Sequence, residues 1–322
     1  MLVFLAPMAG VTDLPFRRLA YSFGAPATVT EMVACEDLAG KRAIALARAA
    51  IEPGCGPVIV QIAGREPYWF AEGARIATAS GAEAIDLNFG CPAKKVTGGA
   101  GGAALMRDVD HAKRCVAAAV NATDKPLSVK MRLGWDEDNL NASQIAKAAE
   151  DEGATRVTIH GRTRNQFYTG SANWSAIRSI KDAVSAPVVA NGDICSPDDA
   201  SEALQQSGAD GVMIGRAALG RPWLVAQVAD RVRGDDVRAE PSPESVLTAV
   251  LRFYEESLEF YGRELGVRMA RKHLSAFIDK LEYLGDAASR RSLRARICTM
   301  DDPAAVVRAL CDSFLPVTRA AS

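Results

Sequence analysis

Net charge is nearly absent: 38 lysines and arginines against 39 aspartates and glutamates leave a formal −1 over 322 residues. With a pI near 6.4, the chain does not hold nucleic acid by bulk charge. Any such partner must meet a local basic face, and DNA is not expected. Histidine is scarce. The three, His111, His160 and His273, lie far apart and lack carboxylate or cysteine partners at ligand spacing, which argues against a metal. The seven cysteines, odd in number and scattered from Cys35 to Cys311, form no C-x-x-C pair. They read as the reduced thiols of a cytoplasmic protein, not a disulfide frame or a zinc knuckle. No long apolar run suggests a membrane span. The opening Met1-Leu2-Val3-Phe4-Leu5-Ala6-Pro7 has no basic region and too short an apolar run for a signal peptide. No obligate protein partner is evident.

What is present is alternation. Short apolar runs at 2–6, 28–31, 58–61, 84–88, 127–132, 156–160, 188–191 and 211–215 read as strands. Between them, helical spacing is found over 39–50, 69–80, 108–122, 142–152, 174–184 and 197–207. Eight parallel strands in about 215 residues predict a (β/α)8 TIM barrel better than an open doubly wound sheet. From Arg233 to Ser245 the texture changes to Gly234-Asp235-Asp236 and Pro241-Ser242-Pro243, a linker. The stretches 246–261, 267–284, 289–299 and 303–314 then show helical spacing without strand signals. The expected organisation is a catalytic barrel, 1–235, followed by a smaller all-helical C-terminal domain, 236–322. In the latter, Arg268, Arg271, Lys272, Lys280, Arg290, Arg291, Arg294 and Arg296 outnumber the nearby acids. Such a run serves either as a solvated face or as an anion-binding one.

The chemistry gathers around Ala84-Ile85-Asp86-Leu87-Asn88-Phe89-Gly90-Cys91-Pro92. Pro92 cannot prolong the strand, so Cys91 stands at a strand's C-terminal end, where α/β barrels place their chemistry. Gly99-Ala100-Gly101-Gly102-Ala103-Ala104 matches a dinucleotide fingerprint, but no strand runs straight into it, and a mobile loop fits better. In a barrel the other strand ends converge on the same mouth. They bring Pro7, Met8 and Ala9; Glu31; Gln61; Asn88; Lys130 with Arg132; His160; Asn191, Gly192 and Asp193; and Gly215 with Arg216. The last two ends suit a phosphate: glycine lets backbone N–H groups approach, and an arginine can pair with it. Gln61 and Lys130 could meet a flat heterocycle, the lysine stabilising negative charge on a reduced ring. The combination points to flavin mononucleotide. Taken singly, the same residues also admit structural roles: His160 as a core histidine, Lys130 as an ion-pair partner of Glu31 or Asp86, Gln61 as a barrel filler.

These residues resemble the tRNA-dihydrouridine synthases. The matching stretches are Ala6-Pro7-Met8-Ala9-Gly10-Val11-Thr12-Asp13, Val60-Gln61-Ile62-Ala63-Gly64, Asp86-Leu87-Asn88-Phe89-Gly90-Cys91-Pro92 and Val129-Lys130-Met131-Arg132-Leu133-Gly134-Trp135. Ile159-His160-Gly161-Arg162-Thr163-Arg164, Ala190-Asn191-Gly192-Asp193-Ile194 and Met213-Ile214-Gly215-Arg216-Ala217 follow in order. Ala93-Lys94-Lys95-Val96 resembles the bacterial B branch. The resemblance implies FMN, NADPH (or NADH) as reductant, and reduction of the C5=C6 bond of a D-loop uridine in tRNA. Hydride would pass from flavin N5 to C6, and Cys91 would protonate C5. It implies FMN-binding roles for Pro7, Met8, Ala9, Gln61, Lys130, His160, Asn191, Gly192, Asp193, Gly215 and Arg216. Asn88 and Arg162 are candidates to hold the uracil edge, Lys94 and Lys95 to meet nearby phosphates, and Arg268, Arg271, Arg290 and Arg291 to meet the tRNA. Three other readings compete. A dehydrogenase of free pyrimidines, of the dihydroorotate type, gives no reason for the basic helices. A Schiff-base aldolase using Lys130 needs no flavin. A non-catalytic RNA-binding barrel gives no reason for an intact Cys91.

Overall fold

Period-two alternation within the apolar runs builds the barrel. The computed structural model describes residues 2–52 and 55–320, with the side chains of all of these except 95 and 315–320. Among the described residues the strands are β1 (Leu2–Leu5), β2 (Thr28–Val29), β3 (Val33–Ala34), β4 (Val58–Ala63), β5 (Ala84–Phe89), β6 (Leu127–Arg132), β7 (Arg156–His160), β8 (Val188–Asn191) and β9 (Gly211–Ile214). All their pairings are parallel, and the sheet closes. β1 pairs with β9, Leu2 to Leu5 facing Gly211 to Ile214, and also with β2, which pairs with β4. β2 and β3 lie on the same neighbour, β4, and fill one barrel position. The fold is therefore a closed eight-position (β/α)8 barrel followed by helices, as expected.

One expected strand, 28–31, is interrupted. Between β2 and β3 the Thr30 hydroxyl accepts the Gln61 N–H at 3.1 Å, so a side-chain oxygen replaces a ladder carbonyl. The Glu31 carboxylate turns to the Gly10 N–H. The helix expected over 39–50 is likewise two pieces, Cys35–Ala39 and Ala43–Arg48. The chain turns between them at Gly40 and Lys41, the latter with φ 52°.

Successive strand residues point to opposite faces. Leu127, Val129 and Met131 of β6, like Ile85, Leu87 and Phe89 of β5, are buried beneath the surrounding helices. The alternate residues turn inward. A small apolar layer of Phe4, Ala6, Val29, Ile59, Val189 and Met213 fills part of the interior. Further inward positions are polar, among them Gln61, Asp86, Asn88, Ser128, Lys130, Arg132, Arg156, Thr158, His160 and Asn191. Buried polar groups are costly unless paired, so this half of the interior must be satisfied by its own contacts or by a ligand.

After the Leu224–Arg233 helix the chain runs through residues 234–242, held back to the barrel by Arg238. That guanidinium donates to Asp230 at 2.6 and 2.8 Å and to the Phe23 carbonyl at 2.9 Å. The Pro243–Tyr261, Arg263–Lys280, Ala287–Thr299 and Pro303–Ala320 helices follow. Ser242 and Asp286 cap the first and third through their side-chain oxygens. One apolar core joins the barrel's outer face, with Phe16 and Trp223, to Phe253, Leu274 and Phe277 of the helices. Tyr261 also donates to Asp13 at 2.9 Å.

Candidate active site

The barrel mouth opens on a cavity of about 610 Å³. Pro7, Met8 and Ala9 line it from the end of β1, Gln61 from β4, Asn88 and Cys91 from β5, Lys130 from β6 and His160 from β7. Asn191, Gly192 and Asp193 line it from β8, and Gly215 and Arg216 from β9. Their convergence follows from parallel strands ending at one face.

Two hydrogen-bonded chains organise the floor. In one, Arg156 donates to Ser128 at 3.0 Å and Ser128 to Asp86 at 2.6 Å. Gln61 Nε2 donates to the other Asp86 oxygen at 2.7 Å, and Asn88 Nδ2 donates to Gln61 Oε1 at 2.8 Å. Asn88 Oδ1 then accepts the Cys91 N–H at 2.9 Å. Gln61 is thus a linking residue and not a space filler. In the second chain Lys130 Nζ donates to Asn191 Oδ1 at 3.0 Å, and Asn191 Nδ2 to the Met213 carbonyl at 2.8 Å. Among the described residues Lys130 has no carboxylate within ion-pair distance, so it pairs with neither Glu31 nor Asp86.

Charge in the cavity is mostly positive. Burial, and then Arg132, lower the Lys130 ammonium to about 8. Burial, and then Lys130, Arg132, Arg162 and Arg216, lower the His160 imidazolium to about 2, so the ring is neutral. Asp86 opposes the fall at Lys130 from the floor, and Asp193 is the carboxylate that lines the cavity among the described residues. Burial alone would raise it, but hydrogen bonds from Arg162 and the Ala172 N–H hold it below the usual range. Arg216, with 59% of its side chain exposed, reaches Asp193 only at 3.4 Å and lies over the Tyr168 ring, 4.7 Å from its centroid. At Gly192, φ is 115°, and a Cβ there would sit 2.7 Å from the His160 ring and 2.8 Å from Ala172. Only glycine leaves that backbone open to the cavity.

Arg162, expected at the uracil edge, takes another place. It is 2% exposed and does not line the cavity. Its guanidinium is bidentate to Asp193 at 2.9 and 2.6 Å and also donates to the Thr169 and Gly170 carbonyls. It acts behind the wall, holding the loop after β7 to the loop after β8. Lys94 is exposed on the short Lys94–Thr97 helix, away from the cavity wall, and the Lys95 side chain lies outside the described residues. Arg268 and Arg291 are exposed and have no ion-pair partner among the described residues. Arg271 is spent on Asp301 at 2.7 Å and on the Met300 carbonyl, and Arg290 on the Gly285 carbonyl at 2.7 Å.

Met32, Arg132, Tyr168, Cys195 and Lys280 also line the cavity. Arg132 is recognisable in the sequence as an inward strand end; its guanidinium donates to the Gly90, Thr163 and Phe167 carbonyls at 2.8 to 2.9 Å. The others lie on loops or a helix end, where no periodicity marks them. Among the described residues no cluster of His, Cys, Asp or Glu could hold a metal ion, and no helix is long and apolar enough to cross a membrane.

Fold and site together define a (β/α)8 barrel with one polar, cation-rich mouth and a thiol at its edge. A family model described as Dihydrouridine synthase (Dus) matches residues 4–314. A protein of Rhodobacter capsulatus named "Probable tRNA-dihydrouridine synthase" is 50% identical over 313 residues, 97% of this chain and 94% of that one. One of the same name from Rhizobium leguminosarum bv. phaseoli is 48% identical over 308 residues, 96% and 93% of the two chains. A "tRNA-dihydrouridine synthase B" of Xanthomonas axonopodis pv. citri is 47% identical over 272 residues, 84% and 82%. The chain belongs to the dihydrouridine synthase family.

Proposed function

We propose that this protein is a tRNA-dihydrouridine synthase, reducing the C5=C6 bond of a D-loop uridine with bound FMN and with NADPH or NADH as electron source. The observation that carries the reading is the shared cavity: Cys91 opens on the same space as Lys130, Asn191 and the Gly192–Arg216 end. The residues fit a flavin mononucleotide. The volume suits a nucleotide-sized ligand, Gly192 leaves backbone open for close approach, and Arg216 is only loosely engaged by Asp193. Gln61, Lys130, His160 and Asn191 would face the ring system, and Met8 would cover it from the β1 side. When bound, the reduced flavin supplies the hydride that the uracil ring accepts.

The chain's own groups do the rest. Cys91 holds the proton that C5 requires, and Asn88 fixes the Cys91 backbone through the 2.9 Å hydrogen bond. Lys130 keeps a cation beside the site of negative charge, and the neutral His160 can donate or accept without adding another. The uridine must leave its stack to reach this depth, at roughly a few kcal/mol. The test is mass-spectrometric mapping of dihydrouridine in tRNA from cells lacking the protein, together with reduction of that tRNA by the purified protein. Loss of dihydrouridine at a D-loop position, restored in vitro, is expected. Unchanged tRNA would overturn the reading.

A further inference from the structure

The helical region does more than pack on the barrel. Its Arg263–Lys280 helix is fastened at two of the strand ends that build the cavity. Lys272 Nζ donates to the Gly10 carbonyl in the loop after β1. Gly220, in the segment that follows Arg216, packs so closely that a Cβ there would run into the Ala276 carbonyl. Phe277 lies against Trp223 on that same segment, ring centroids 6.4 Å apart. The helix so held ends at Lys280, and Lys280 lines the cavity with Asp193, Cys195, Gly215 and Arg216. Its side chain is exposed and has no hydrogen-bond or ion-pair partner among the described residues. Burial, and then Asp199 and Asp193, raise the Cys195 thiol, and Lys280 and Arg216 oppose that rise together.

We infer that Lys280 completes the phosphate end of the cavity, taking the phosphomonoester of the bound nucleotide from the side opposite the barrel loops. This rests on the FMN reading above. Charge is what points there. Asp193, the carboxylate at this end, is already matched by the bidentate Arg162, so a dianionic phosphate would find Arg216, held only at 3.4 Å by Asp193, and Lys280, unpaired among the described residues. A charge-assisted hydrogen bond to a phosphate oxygen is among the stronger single contacts available there. The cofactor site is then shared between the two regions of the chain.

The test compares FMN with riboflavin, which lacks the phosphate, on the full-length apoprotein by flavin-fluorescence titration. Lys280→Gln should weaken FMN about tenfold, leave riboflavin unchanged and lower the salt dependence of FMN affinity, while Lys280→Arg keeps it. Lys280 is exposed, so an unchanged melting temperature of the apoprotein should accompany the loss. Equal FMN affinity for Lys280→Gln and wild type overturns the inference but leaves the flavin reading standing. If Lys280→Gln weakens tRNA binding alone, the cation serves the RNA backbone, and the inference fails. If the wild type binds no flavin at all, both readings fail.

Discussion

Cys91 is positioned by backbone on both sides. Its N–H donates to Asn88 Oδ1 at 2.9 Å, and its carbonyl accepts the Ala103 N–H at 3.1 Å. Removing the sulfur disturbs neither bond, so Cys91→Ala should keep the fold and flavin affinity while losing the proton. Single-turnover reduction of tRNA should fall by about 10²–10⁴-fold; a wild-type rate would make the thiol structural. Asp193 carries a different burden. It holds a left-handed φ of 53°, which Asn tolerates, and it neutralises the buried Arg162. Asp193→Asn should therefore keep the backbone and strand the guanidinium, costing about 2–4 kcal/mol in urea unfolding. A loss under about 1 kcal/mol would mean that Arg162 is satisfied by the Thr169 and Gly170 carbonyls alone.

At the level of elements, the two basic helices divide their arginines between structure and surface. Arg271 and Arg294 tie the Arg263–Lys280 and Ala287–Thr299 helices to Asp301 and Asp279, whereas Arg268 and Arg291 face solvent. Arg268→Glu with Arg291→Glu should weaken tRNA binding and flatten its salt dependence, by about one unit of log–log slope for each phosphate no longer neutralised. Equal slopes for variant and wild type would leave these two as solvated charge. The strands were readable because their side chains alternate: one parity gives Val60, Leu87, Val129 and Ile159 under the helices, the other Gln61, Asn88, Lys130 and His160 toward the mouth. That parity needs no tertiary information beyond the barrel. The pairing of Arg162 with Asp193 does, since it joins two loops 31 residues apart in sequence. Tyr168 and Lys280 reach the cavity only through how a loop folds and where a helix is anchored. The break after Val29 turned on one threonine hydroxyl, which no propensity distinguishes from a strand threonine.

For the whole molecule, His273 reports on how barrel and helices are joined. It is 0% exposed, sits against Phe16 and Phe253 with centroids 4.9 and 4.8 Å away, and neither ring nitrogen has a hydrogen-bond partner among the described residues. Burial first, and Lys272 next, lower it to about 3. The unfolded chain takes up this proton near pH 6.5 and the folded one only near 3. Stability is therefore lost as pH falls through that window, by about 1.4 kcal/mol per unit from this group. Burial lifts Asp13 to about 6, and its contribution runs the other way between about 4 and 6. His273→Phe keeps the ring packing and removes the titration, so its melting temperature should fall less steeply than wild type from pH 6.5 to 4; parallel curves would show that His273 is not the group responsible. The close fit of Gly220 against Ala276 carries the same union into inheritance. Residues 234–242 look like a place where one region could be exchanged for another, yet the surfaces on either side are cut to each other. A chimaera joining this barrel to a relative's helices should fail first at that one glycine and its facing carbonyl, before any question of which uridine is chosen.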